Sequence, residues 1–255
     1  MPGVDDGAES VDSALDALRS FVDSGVVRVV TTPHLDAGHV RSPRRERIQS
    51  AFRRVEDAAA AEFPELQFEL AYEIRIDDPE VDLSDRGLGL SDGGAILVEF
   101  PQLALPAYSP RMLDVVRRQD WTPVLAHPER YTGIASTYEW IRRWREMGVV
   151  MCVNVDSLLG GHGREAQQVA RRMLASGDAD LIGSDHHARP RRSTLLREGY
   201  DLLMERGGPE TEHAARLLFG ENAVSLLAGE PLQQVPALEL DPGWLGRVRR
   251  KLLGG

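Results

Sequence analysis

Apolar runs rich in β-branched residues alternate with helical patterns along the chain. The strand candidates are residues 26–32, 66–72, 95–100, 123–126, 149–155 and 179–183. The segments 10–24 and 43–62 instead repeat apolar residues at helical spacing, and helical patterns also fill the last third of the sequence. Strands that alternate with helices are typical of βα units that build a parallel sheet. The pattern therefore predicts an α/β fold.

The length of the chain fits one domain of this kind. It has 255 residues, and α/β barrels of this size usually form one core. Neither a linker nor a low-complexity tract divides the sequence, so we expect a single domain over residues 1–255. The first residues lack a positive flank followed by an apolar run, and we find no membrane span. We therefore expect a cytoplasmic protein.

Charge and cysteine content exclude several classes of function. The net charge is −10, which argues against nonspecific nucleic-acid binding, because such binding depends on Lys and Arg that neutralise phosphates. The one cysteine, Cys152, lies in the apolar run VVMCVNV. It excludes an intramolecular disulfide framework and a cysteine zinc cluster, and its surroundings favour a buried thiol.

Histidines and acidic residues stand where the predicted strands end. The residues concerned are His34, Glu73, Glu99, His127, Asp185, His186 and His187. In a barrel of βα units the active site lies on the carboxyl face of the strands. Side chains gathered there would repel one another and lose hydration unless cations held them together. Mixed nitrogen and oxygen ligands of this kind indicate divalent metals.

Two further segments extend this set. Alternation along an extended chain would point Asp185 and His187 to the same side, so we expect them to chelate a metal and His186 to lie outside the cluster. The N-terminal loop PGVDDGA adds Asp5 and Asp6 just before the first helix. Residues in this position either cap the helix or bind a metal.

Six motifs, taken in order, resemble the polymerase and histidinol phosphatase (PHP) family. They are PGVDDGA, TTPH, the EIR of AYEIRI, LVEFP, HPER and SDHH. Within the family they look most like the manganese-dependent tyrosine phosphatases of the bacterial capsule and exopolysaccharide type. The match extends from Pro2 to about Arg192. The resemblance implies a distorted (β/α)7 TIM-like PHP barrel that binds up to three metal ions.

The resemblance also implies a distribution of ligands. One metal would be bound by Asp6, His34 and His187, a second by Glu73, Glu99 and His127, and the third by Asp185 with a bridging Glu73. The two remaining family ligands come from an H-x-H motif on a first strand before the PGVDDGA loop, and that strand has no counterpart in this sequence. A start codon assigned too late, a truncation or a true loss would each explain this, and the retained motifs favour the late start. We expect weaker binding of one metal.

The expected chemistry is hydrolysis of a phosphomonoester by water that divalent metals activate. Arg130 and Arg192 lie on loops of the same face, where they either bind phosphate in a bidentate manner or form surface salt bridges. The cysteine-dependent route is excluded, because Leu158 stands six residues after Cys152 where that route needs arginine. By resemblance, the cofactor is manganese and the partner is the phosphotyrosine-rich tail of a tyrosine kinase of polysaccharide export.

Three other functions stay open. A small-molecule phosphatase, such as a histidinol-phosphate hydrolase, would use the same metals. A DNA-trimming nuclease of the family would need a broad basic surface, which the sequence does not indicate. A catalytically impaired module would bind phosphotyrosine or the kinase without hydrolysis. An acidic barrel with many exposed helices could also assemble into a homo-oligomer.

Overall fold

The computed structural model describes residues 1–90, 94–187, 194–205 and 209–238. The strands are β1 (Arg28–Thr31), β2 (His34–Asp36), β3 (Gln67–Leu70), β4 (Glu73–Arg75), β5 (Ala95–Glu99), β6 (Thr122–Ala126), β7 (Val150–Asn154) and β8 (Leu181–Gly183). The helices are α1 (Val11–Asp23), α2 (Pro43–Glu62), α3 (Ser109–Arg117), α4 (Glu139–Glu146), α5 (Val155–Leu159), α6 (Arg164–Ser176), α7 (Leu196–Met204), α8 (Pro209–Arg216) and α9 (Asn222–Ala228). Short 3-10 helices follow β2, β5 and β6.

All strand pairs are parallel. A 6-stranded sheet has the order β2-β4-β5-β6-β7-β8, and a 2-stranded sheet pairs β1 with β3. Thr31 pairs with Leu70 and His34 with Glu73, so β2 and β4 continue β1 and β3 in the same register. The prediction of an α/β fold with parallel strands is confirmed.

Two predicted strand ends were wrong. The sequence predicted that His34 and Glu73 follow their strands, whereas these residues begin β2 and β4 after an interruption. Pro33 lies at the first interruption, and it has no N–H to donate to a ladder. The carbonyl of Pro33 still accepts the Glu73 N–H at 3.2 Å. His34 and Glu73 therefore remain paired side by side, and both belong to the sheet itself.

Capping residues fix the N-terminal ends of α1 and α2. Ser10 caps α1 in a reciprocal capping box with Ser13, and Ser42 caps α2. The capping role considered for Asp5 and Asp6 therefore belongs to Ser10. Helix α2 packs its apolar face inward, through Ile48, Ala51, Phe52, Val55 and Ala59.

Aromatic packing holds the turns that follow β5 and β6. The side chains of Phe100, Tyr131 and Trp144 are fully buried and in mutual contact, with ring centroids 5.5 to 6.4 Å apart. The Tyr131 hydroxyl also accepts the Phe100 N–H at 2.9 Å. Because Phe100 follows Glu99 and Tyr131 follows the HPER motif, this cluster fixes the backbone beside Glu99 and His127.

An apolar cavity of about 380 Å³ lies between the two outer strands, β1 and β8. Its wall includes Val29 from β1, Leu181 from β8, and Leu97 and Val124 from the strands between them. The outer edges of β1 and β8 have no strand partner within the described residues. None of the helices in the described ranges is long and apolar enough to cross a membrane.

Candidate metal centre

A polar cavity of about 390 Å³ lies at the carboxyl ends of the strands. The predicted ligands that line it are Asp6, His34, Glu99, His127, Asp185 and His187. Glu73 lies beneath them, facing the adjoining apolar cavity. The structure thus brings residues from five strand positions and from the N-terminal loop to one place.

One group of ligand atoms consists of Asp6, His34 and His187, which lie within 4.8 Å of one another. The Asp6 Oδ1 atom is 3.3 Å from His187 Nε2 and 3.8 Å from His34 Nε2. This is the set that the family resemblance assigned to one metal. Asp5, in contrast, accepts hydrogen bonds from the Met1 amino group and the Gly7 N–H, so its carboxylate is used within the loop.

A second group consists of His34, Glu73 and Glu99. His34 Nδ1 lies 3.5 Å from Glu99 Oε1 and 3.8 Å from Glu73 Oε2. His127, which the family resemblance assigned to this set in place of His34, has its Nε2 atom 3.1 Å from Glu73 Oε1 and 3.9 Å from Glu99 Oε2. Both imidazoles therefore adjoin the two carboxylates.

The electrostatics of the second group favour a cation. Burial and the neighbouring charge of Glu73 raise the pKa of Glu99. Burial would also raise the pKa of Glu73, but the hydrogen bond from His127 and its charge outweigh this and lower it. Among the described residues, the buried Nδ1 atoms of His34 and His127 make no hydrogen bond. Two buried carboxylates beside the unpartnered Nδ1 atom of His34 and the Nε2 atom of His127 fit a divalent cation with mixed ligands.

Two of the predicted ligands have a left-handed backbone. The φ angle is +36° at His127 and +45° at Asp185, a conformation that costs energy in residues other than glycine and that clusters at functional sites. The extended-chain argument for Asp185 and His187 was therefore wrong. His187 approaches Asp185 because its Nδ1 atom hydrogen-bonds the Asp185 carbonyl at 2.9 Å. His186 lies outside both groups and packs edge-on against Phe21.

Asp185 also connects the centre to two donors. Its Oδ2 atom accepts a hydrogen bond from Arg130 Nη1 at 3.0 Å and another from Asn154 Nδ2 at 3.0 Å. Arg130 is thus held at the cavity by a carboxylate of the cluster. Arg192, the other predicted phosphate ligand, lies outside the described residues.

Sequence reasoning missed two residues that orient the cluster. Arg75 contacts Glu99 Oε1 through Nη2 at 3.2 Å and hydrogen-bonds Asp36 through Nη1 at 2.6 Å. The period of two along β4 places Arg75 on the same side as Glu73, and this signal could have identified it. Asn154 was also missed, although it ends β7 as a polar residue after an apolar strand.

Comparison with known proteins gives a consistent result. The family model for capsular polysaccharide synthesis, CpsB/CapC, matches residues 1–228. The tyrosine-protein phosphatase YwqE of Bacillus subtilis is 27% identical over 256 aligned positions, which cover 100% of this chain and 96% of YwqE. The tyrosine-protein phosphatase CpsB of Streptococcus agalactiae serotype V is 26% identical over 231 positions, covering 88% of this chain and 93% of its own.

A solved structure is similar over almost the whole length. It comes from crystallographic work on YwqE of Bacillus subtilis and CpsB of Streptococcus pneumoniae, described there as metal-dependent tyrosine phosphatases. The two chains superpose with a TM-score of 0.79 at 26% identity, over 94% of this chain and 96% of the other.

Proposed function

The chain belongs to the CpsB/CapC family of capsular polysaccharide synthesis, and from this premise we propose that it is a metal-dependent protein-tyrosine phosphatase. One observation of the structure carries the proposal: two groups of nitrogen and oxygen ligands meet at His34, next to an arginine held at the same cavity. The similarity to tyrosine phosphatases of known structure supports the assignment.

We propose that the metals are manganese ions, bound by Asp6, His34, Glu73, Glu99, His127, Asp185 and His187. Their mixed donors and the repulsion between Glu73 and Glu99 support divalent cations at this site, and the choice of manganese rests on the family resemblance. Bound divalent cations lower the pKa of water and neutralise charge on phosphoryl oxygens. The protein's own contribution is to hold the carboxylates in place: Arg75 contacts Glu99, and Asn154 and Arg130 hold Asp185.

We assign Arg130 to the phosphate. Its guanidinium is part-buried at the cavity and uses Nη1 for Asp185, so, as far as the described residues are concerned, the other nitrogens of its fork remain for a phosphate oxygen. Arg192 stays in the proposal by resemblance alone. The partner we propose is the phosphotyrosine tail of a tyrosine kinase of polysaccharide synthesis.

We also propose a more specific fold than the parallel α/β arrangement described above. We propose a single domain with a distorted (β/α)7 TIM-like PHP barrel, in which one strand position between β8 and β1 is open. The apolar cavity between these strands supports it, because residues from both of their outer edges line it. Exposed edges of this kind are sites where a further strand can pair.

The decisive experiment compares substrates with and without metal. After treatment with a chelator and readdition of manganese, zinc or magnesium, the chain is assayed on a phosphotyrosine peptide, a phosphoserine peptide, histidinol phosphate and single-stranded DNA. We expect release of phosphate from the phosphotyrosine peptide that depends on metal and is strongest with manganese. Preferential turnover of histidinol phosphate or DNA would establish one of the alternative functions. Peptide binding without turnover would identify a binding module.

Replacing Arg130 by alanine is expected to raise the KM for the phosphotyrosine peptide about tenfold or more, since a charge-assisted contact to phosphate contributes roughly 1.5–3 kcal/mol. Lysine at this position should restore part of the loss. Arg111→Ala, an exposed arginine of α3, is the matched control. Inhibition by inorganic phosphate should weaken in parallel. The metal content of the same samples distinguishes the loss of a phosphate contact from a loss of metal, which could follow when Asp185 no longer has Arg130 as its partner. An unchanged KM and an unchanged inhibition by phosphate would contradict the assignment.

A further inference from the structure

A histidine outside the ligand set faces the same cavity from β7. Of the strands in the 6-stranded sheet, β7 ends without a predicted metal ligand. The chain continues from Asn154 into the short helix α5 and then into the loop Gly160–Gly161–His162–Gly163. The side chains of Asp156 and His162 both line the polar cavity.

The position of His162 depends on the backbone conformation of this loop, which its glycines make possible. Gly160 and Gly163 have φ angles of +99° and +90°, which residues other than glycine rarely adopt. A Cβ atom on Gly161 would come within 2.0 Å of the Asp156 carboxylate. The loop conformation thus depends on glycine at Gly160 and Gly163, whereas a side chain at Gly161 would displace the Asp156 carboxylate. The one functional side chain of the loop is the imidazole.

Ser157 fixes the orientation of the ring. Its hydroxyl, on a fully buried side chain, lies 3.0 Å from His162 Nδ1. The other nitrogen, Nε2, lies 3.8 Å from Asp156 Oδ2, longer than a hydrogen bond. Within the described residues, Nε2 therefore remains available to a molecule in the cavity. Burial and the charge of Arg130 lower the pKa of His162, so the ring is neutral near pH 7.

We propose that His162 is a further catalytic residue whose Nε2–H donates a hydrogen bond to the ester oxygen of an aryl phosphate. The inference rests on the proposed phosphatase function. Water adds to phosphorus while the bond from phosphorus to the aryl oxygen breaks, and that oxygen leaves with the electron pair and takes its proton from solvent. His162 stays neutral throughout. Ser157 is the positioning residue in this proposal: its hydroxyl, 3.0 Å from Nδ1, is assigned as the donor, which leaves the hydrogen on Nε2.

The charge of each group decides the choice of oxygen. The attacking and leaving oxygens of phosphoryl transfer lie roughly in line on opposite sides of phosphorus. His162 reaches the cavity from the loop after β7, which carries none of the candidate ligands. Arg130 already supplies charge for the oxygens that stay on phosphorus. A neutral donor has its largest effect where charge appears during the reaction, which is the aryl oxygen.

The first test varies the leaving group. His162→Ala should lower kcat for phenyl phosphate about tenfold or more, but for 4-nitrophenyl phosphate by less than about threefold, because a better leaving group needs less stabilisation. His162→Gln, whose amide can replace the Nε2 donor, should recover most of the loss. His213→Ala on α8 is the control. An equal loss on both esters would overturn the inference while the phosphatase function stands. A wild-type chain that hydrolyses neither ester would overturn both.

The second test does not depend on activity. In protein labelled with nitrogen-15 at histidine, the two ring nitrogens of His162 are assigned by the signals that His162→Gln removes. We expect the tautomer with hydrogen on Nε2 near neutral pH, and a shifted pattern in Ser157→Ala. A ring with hydrogen on Nδ1, or a charged ring, would overturn the proposed donor.

Discussion

Replacing His127 by alanine is expected to lower turnover of a phosphotyrosine peptide by about 100- to 1000-fold, the order of effect seen when an electrostatic element of a catalytic site is removed. His127 is buried and connects the two carboxylates of the cluster, with Nε2 3.1 Å from Glu73 and 3.9 Å from Glu99. Its loss removes a proposed metal ligand and leaves Glu73 buried without its hydrogen-bonding partner.

The loss of folding stability caused by His127→Ala depends on pH, and this dependence can be measured without metal. Burial opposes the charged form of His127, but the hydrogen bond and charge of Glu73 outweigh it and raise the pKa of His127. A raised histidine pKa stabilises the folded state below the unfolded value of about 6.5 and loses this effect as the pH rises through the folded pKa. The gap in thermal stability between wild type and His127→Ala should therefore be larger at pH 6 than at pH 9.

Three measurements on the same samples check this prediction: initial rates, bound metal, and thermal unfolding in the presence of a chelator. His213→Ala serves as the control for loss of an imidazole away from the cavity. The variant should remain folded with little bound metal. Turnover within tenfold of wild type would show that His127 is not a ligand.

Much of the fold and of the centre could be predicted from the sequence, because both depend on local patterns. The approximate positions of the parallel strands follow from apolar runs, and α2 begins and ends at the predicted residues. His34, His127 and Asp185 stand next to such runs, so their convergence follows from the rule that strand ends share a face. The prediction of Asp6 as a ligand depended on the family motif. The composition and spacing of the N-terminal loop do not show in which direction its side chains point.

The remaining features depend on contacts between distant segments. The left-handed backbone at His127 and Asp185 has only a weak signature in residue type, because Asp and His adopt it more often than most residues other than glycine but still rarely. The contact of Arg75 with Glu99 joins neighbouring strands through side chains. The orientation of His162 follows from a loop whose glycines could equally have served as a turn. Tertiary packing selects one conformation in each case.

Replacing Glu99 by glutamine is expected to have opposite effects on activity and on the stability of the metal-free protein. Turnover should fall at least about 100-fold, because a carboxylate ligand is lost from the proposed centre. In the presence of a chelator, however, the variant should unfold at a higher temperature than wild type. Glu99 is 6% exposed, and burial together with the charge of Glu73 makes its ionised form unfavourable in the folded state.

The pH dependence distinguishes this explanation from a general packing effect. Because the folded pKa of Glu99 is raised above its unfolded value of 4.5, the folded state binds the proton more tightly. Below that value both states are protonated, and the variant should match wild type. As the pH rises from there through the folded pKa, wild type loses stability that glutamine retains, so the gap opens and then stays constant. Glu139→Gln, at an exposed position of α4, should show no such gap.

Saturating manganese should reverse the order, because a cation that binds only the folded wild-type site adds stability by mass action. The same carboxylate would then destabilise the empty protein and stabilise the loaded one. A variant that is less stable than wild type without metal at neutral pH would show that the contact with Arg75 outweighs the repulsion from Glu73. The cluster would then be assembled by its own ion pairs, and the case for a cation as the missing partner would fail at Glu99.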